Sequence, residues 1–232
     1  TQGTPDQRFV YEYLKDVLQR PVSMDDVNYW TAQFEKNHRD PQTFSSIVIE
    51  STPPYEYRRG EIANSYETYL HRAPDAAGEN FYLQLIINSH GAREGEGSSF
   101  GTEKRTSALL IASNEFYQDA GSTVDGFITA VFEDALKRAP TAADLAYYSD
   151  QLTHGMTHIE FATTVLSSTE SLTRTINSLY ERYLGRGADP TGLQNFLNDY
   201  AAGYGTETNT ETILDTPEFY NRAVGLPLNT VD

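Results

Sequence analysis

The sequence predicts an all-α protein, an array of four three-helix repeat units packed into one helical domain or two paired halves. Three observations predict it. An apolar stripe of helical period is written four times, and an arginine stands at a constant distance behind each stripe. No strand-period alternation of useful length occurs in the 232 residues.

The first unit, residues 1–60, carries Val10, Tyr13, Leu14, Val17 and Leu18, the i, i+3, i+4, i+7, i+8 face of an amphipathic helix. The second, 61–122, repeats the face with Ile62, Tyr66, Tyr69 and Leu70, and Ser65 takes the i+3 place. The third, 123–172, has Ile128, Val131, Phe132, Ala135 and Leu136. The fourth, 173–232, has Ile176, Leu179, Tyr180, Tyr183 and Leu184. Ten residues past the start of each stripe stand Arg20, Arg72, Arg138 and Arg186, and ten further on stand Trp30, Tyr82, Tyr148 and Phe196.

Behind each arginine the chain turns. Pro21, Pro74-Asp75, Pro140-Thr141 and Asp189-Pro190 end one helix and start the next, because proline cannot continue a helix but suits its first turn. Ser23, Asp75, Thr141 and Asp189 are the expected N-caps, with Thr141 and Asp144 set as a capping box. A third helix follows in each unit, marked by Ile47-Val48, Leu109-Leu110-Ile111, Phe161 with Val165-Leu166, and Ile213-Leu214. Three units close on a Ser or Thr and an acid, as in Ser113-Asn114-Glu115-Phe116, Ser168-Thr169-Glu170 and Thr216-Pro217-Glu218-Phe219. In the first unit Glu56-Tyr57 holds that place, after Pro53-Pro54. The glycine-rich run over 88–104 interrupts the helical pattern and is expected as a surface insertion. The repeated arginines are expected to end their helices and to bond terminal carbonyls or the closing acid of their own unit.

Composition narrows the partners. A net charge of -16 repels phosphate backbones, which argues against nucleic acid. No apolar run approaches the roughly 20 residues that cross a bilayer, so no transmembrane segment is expected. The absence of cysteine removes disulfides, thiolate metal sites and cysteine nucleophiles. The chain starts TQGTPDQRF with neither Met nor a signal peptide, which reads as an exported protein (extracellular, cell-surface or periplasmic) or a piece of a longer one.

No catalytic, cofactor-binding or metal-binding residue is assigned. His154 and His158 have the spacing of a zinc pair, but Gly155 sets a turn between them and no HExxH pattern follows. Asp25-Asp26 and Glu94-Glu96 read as solvated charge rather than as acid/base pairs. Phosphate-cradling and nucleophile-elbow patterns are missing, so no enzyme is expected.

The corner written Tyr69-Leu70-His71-Arg72-Ala73-Pro74-Asp75, with Gly78 and Phe81-Tyr82, recurs as Tyr183-Leu184-Gly185-Arg186 with Asp189, Gly192 and Phe196. It resembles the bacterial domain of unknown function 4214. The likeness extends over nearly the whole chain, and the first unit departs from it at RPVSMDDVNYW. That family occurs mainly in large exported, surface-layer-like or calcium-repeat proteins, and the resemblance brings no catalytic residue with it. The stretch STPPYEYRRGEIANSYETYLHRAP is similar to the core of phycobilisome linker domains, which are non-catalytic scaffolds. The expectation is a non-catalytic exported structural or interaction module. It would help assemble a larger cell-surface or membrane-associated complex by helix-face docking, with protein partners or by self-association. The alternatives are a calcium- or carbohydrate-dependent adhesion module and a light-harvesting-type scaffold.

Overall fold

The computed structural model describes residues 3–51, 55–89 and 102–226. They form fourteen helices and, among the described residues, no strand. The protein is all-α. Around Arg20 lie α1 (Pro5–Leu18), α2 (Met24–Lys36) and α3 (Pro41–Ser51). Around Arg72 lie α4 (Glu56–Leu70), α5 (Ala76–Ser89), α6 (Thr102–Ile111) and the short α7 (Asn114–Asp119). Arg138 is flanked by α8 (Val124–Leu136), α9 (Ala142–Thr153) and α10 (His158–Leu166). Arg186 is flanked by α11 (Thr169–Leu184), α12 (Pro190–Ala201), α13 (Thr206–Leu214) and α14 (Pro217–Gly225).

The helix starts are set by side chains that satisfy otherwise orphaned N–H groups. Thr4, Ser23, Thr141 and Thr157 make complete capping boxes with Gln7, Asp26, Asp144 and Glu160. The carboxylate of Asp75 accepts from the N–H groups of Ala77 and Gly78, and caps α5. Residues 90–101 of the expected insertion, and Pro53-Pro54, lie outside the described residues.

Two compact units divide the chain. The first gathers Thr1–Gly60, Asn177–Asp189 and Thr206–Asp232, and the second gathers Glu61–Ile176 and Pro190–Gly205. The division falls inside α4 and inside α11. In the first unit α1 packs against α2 and α14, and α3 packs against α13. Its core is aromatic: Phe9 lies 4.7 Å from Phe34 and 5.9 Å from Phe219, and Tyr13 lies 4.9 Å from Phe44. Such pairs add roughly 0.5–1.5 kcal/mol each beyond the area they bury. The first and last helices thus close one core, tied as well by Arg222, which donates to Asp16 and to the carbonyl of Tyr183.

In the second unit α10 packs against α6 and α8, and α8 against α9. Its core joins Ile62, Leu83, Ile111, Phe127, Val131 and Phe161, among others. So the third helices pair, α3 with α13 and α6 with α10. The first compact unit draws on the first repeat span and most of the fourth, and the second on the second and third spans together with Pro190–Gly205 of the fourth.

Candidate functional site

The most repeated polar feature is the arginine corner, which recurs with one geometry. Arg72 donates from Nε and Nη2 to both carboxylate oxygens of Glu115, at 2.5 and 2.8 Å. Arg138 does the same with Glu170 at 2.7 and 2.8 Å, and Arg186 with Glu218 at 2.6 and 2.7 Å. Arg20 pairs with Glu56 through Nε and reaches its second oxygen at 3.4 Å. The remaining guanidinium nitrogen donates to the carbonyl of the next residue, at Pro21, Ala73, Ala139 and Gly187. Each glutamate lies in the first turn of the helix that follows, where its charge also suits the dipole.

A second carboxylate completes each corner, and it comes from two different places. At Arg20 and Arg138 it is the sixth residue on, Asp26 at 2.9 Å and Asp144 at 3.1 Å. At Arg72 and Arg186 it is the third residue on, Asp75 at 4.0 Å and Asp189 at 3.5 Å. The ring beneath the guanidinium, six residues back, is Tyr66, Phe132 or Tyr180, each 5.0 to 5.1 Å away. The first corner has Leu14 there. Hydrogen bonds from the arginines hold Glu115, Glu170 and Glu218 below the usual carboxylate range. Arg20 beside Asp26 lowers that carboxyl to about 2.

These groups satisfy one another within the corner and leave no donor set aimed at a ligand. The histidines are apart in role. His154 ends α9 and its Nδ1 faces the carbonyl and carboxylate of Asp150. His158 begins α10 and stacks on Phe127 at 4.2 Å, where burial lowers its pKa. Gly155, at φ +109, makes the turn between them. Asp25 is exposed on α2, and Asp26 is bound to Arg20. Glu94-Glu96 and His90 lie outside the described residues. Among the described residues no group of three or more His, Cys, Asp or Glu is placed to hold a metal ion.

The repeat aromatics Trp30, Tyr82 and Phe196 are buried, and Tyr148 is half-buried. Trp30 meets Phe44 of α3 at 6.0 Å, and Tyr148 meets Phe161 of α10 at 4.9 Å, so these rings seat the second helix on the third. Tyr66 and Tyr69 are likewise buried. The residue just ahead behaves differently. Tyr29, Phe81 and Tyr147, each nine past its arginine, are 60%, 59% and 59% exposed. In the fourth unit Asn195 holds that place and is exposed. Each exposed ring stands edge-on to the next ring along, Trp30, Tyr82 or the half-buried Tyr148, at 5.2, 5.1 and 5.0 Å.

Reading by residue type missed this split. The pairs Phe81-Tyr82 and Tyr147-Tyr148 look alike as letters, and only their offset from the arginine tells which ring turns outward. The usable signal was the 100° that separates neighbours on a helix.

Residues 107–175 match the family model described as Domain of unknown function (DUF4214). The match begins in α6, takes in the Arg138–Glu170 corner and both helices behind it, and ends in α11. That stretch belongs to the family. No curated protein and no solved structure matches the chain.

Proposed function

We propose that this chain, with a domain of that family at its centre, is a non-catalytic interaction module of an exported, surface-associated assembly. It engages its partner through the outer faces of its second helices. One observation carries this reading. The three most exposed Tyr, Phe or Trp rings among the described residues stand at one register position in three repeats, with Tyr55 and Tyr204 less exposed elsewhere, while the repeated charged groups are taken up inside the corners. The fold does not require a ring here, because Asn195 holds the same position in the fourth repeat, and rings left mostly in water are costly to keep exposed. Recurrence in register therefore favours a docking role. Acidic residues elsewhere on the surface would tune partner choice and encounter rate.

The test is co-sedimentation of the purified chain with the envelope fraction of the producing cell, in calcium and in chelator. Binding that ignores chelator is the expected result. Release by chelator would replace this reading with a calcium-dependent adhesin, and failure to sediment in either buffer would refute surface docking.

A further inference from the structure

The outward stripe of the second helices has a chemistry of its own. Positions five, eight, nine and twelve past each arginine are exposed in all four repeats. In a chain of net charge -16, the only charged residues at these places are Asp25 and Asp150. The rest are the three rings, small residues such as Ala32 and Ala143, and carboxamides such as Asn28, Asn80 and Gln84. The rings are held on helical backbone and braced by the next ring at interplanar angles of 86°, 82° and 77°.

Charge complementarity selects the partner. A cationic segment would need carboxylates beside each ring, and the Phe81 stripe, with Ala77, Asn80 and Gln84, has none. An amphipathic protein helix would need a continuous apolar strip, and here single rings sit among amides. A neutral sugar needs what is present. Its C–H face stacks on an aromatic ring, and its hydroxyls pair with carboxamides that cost little to desolvate.

We infer that these second-helix faces each bind an uncharged polysaccharide, a pyranose face stacking on Tyr29 in the first compact unit and on Phe81 and on Tyr147 in the second. The inference rests on the docking reading above and names its partner. Each ring is a weak subsite by itself, and a polymer that offers the same sugar many times has many ways to engage it.

Affinity gel electrophoresis of the full chain tests it, with galactomannan, xyloglucan and mixed-linkage β-glucan as neutral probes and polygalacturonate as the acidic control. At least one neutral polysaccharide retards the wild type, and polygalacturonate does not. Phe81→Ala or Tyr147→Ala weakens retardation several-fold, Phe81→Tyr restores it, and the triple Ala variant with Tyr29→Ala abolishes it while still folded by circular dichroism at the assay temperature. Retardation that survives loss of all three rings overturns the inference, as does the failure of every neutral probe. The envelope assay separates that failure from failure of the docking reading. Periodate, which cleaves vicinal diols, should abolish co-sedimentation. If ring-dependent co-sedimentation survives periodate, the partner is a protein, and docking stands while the sugar assignment falls.

Discussion

Gln19, His71, Lys137 and Gly185 each stand immediately before a corner arginine, and all four take left-handed backbone, with φ between 51° and 69°. This is the residue that ends the helix and turns the arginine back over its last turn. Only Gly185 adopts it without the Cβ penalty of about 1–2 kcal/mol. An added Cβ there would meet the Arg222 side chain at 3.7 Å, an ordinary contact, so the penalty for substitution is conformational. Gly185→Ala should lower stability by about 1 kcal/mol, and Lys137→Gly should raise it by a smaller amount, both read from urea melts. The corner carboxylates predict a pH dependence. Asp26 falls to about 2 in the fold, through the hydrogen bond from Arg20 first and then the Ser23 N–H and hydroxyl. A carboxyl whose folded pKa is depressed contributes stability above its unfolded pKa of about 3.9, and that stability is lost as pH falls towards the folded value. Urea melts should therefore weaken between about pH 4 and 2. Asp26→Asn should flatten that window and cost about 1 kcal/mol at pH 7, after allowance for solvent screening. Asp16 and Asp215, raised by burial, act in the opposite sense and partly offset the loss on acidification.

At the scale of the helix and its corner, two solutions alternate along the chain. The first and third corners have Leu14 or Phe132 beneath the arginine, Ser23 or Thr141 as cap, and Asp26 or Asp144 as second carboxylate. The second and fourth have Tyr66 or Tyr180 beneath, Asp75 or Asp189 as carboxylate, and Gly78 or Gly192 where the aspartate would be. Gly78 shows why: a Cβ there would lie 2.2 Å from the Tyr66 hydroxyl. The tyrosine hydroxyl and the sixth-position side chain compete for one space. Gly78→Asp alone should destabilise by more than about 1 kcal/mol. The triple change Tyr66→Phe, Asp75→Thr, Gly78→Asp should recover most of that loss, because it rewrites the second corner as the third. Thermal unfolding of the wild type and the two variants checks it, and a triple variant no better than the single would break the rule. Much of this was open to a reader of the sequence. Stripes of period 3.6 located the helices, and the fixed spacing behind them located the arginines. The left-handed position was hidden because Gln, His and Lys occupy three of its four instances, and only glycine announces that backbone.

The whole molecule adds what local pattern does not carry. Phe9 of α1 meets Phe219 of α14, and Ser45 of α3 donates to Asp215 at 3.1 Å, contacts that span most of the chain. Such pairing, the third helix of the first span with that of the fourth and the second with the third, leaves no trace in a helical period. The exposed rings were equally hidden, since an outward ring and an inward one are written with the same letters. The polar corners and the rings then have separable duties: arginines with their acids hold the helices, and the second-helix rings face outward. One side-by-side measurement tests this, comparing the melting temperature and envelope binding of Arg72→Ala/Arg138→Ala with those of Tyr29→Ala/Phe81→Ala/Tyr147→Ala. The account predicts that the arginine variant melts earlier while its folded fraction still binds, and that the ring variant loses less stability, stays folded at the assay temperature and does not bind. A ring variant that loses more stability than the arginine variant, or that binds as the wild type does, would contradict it.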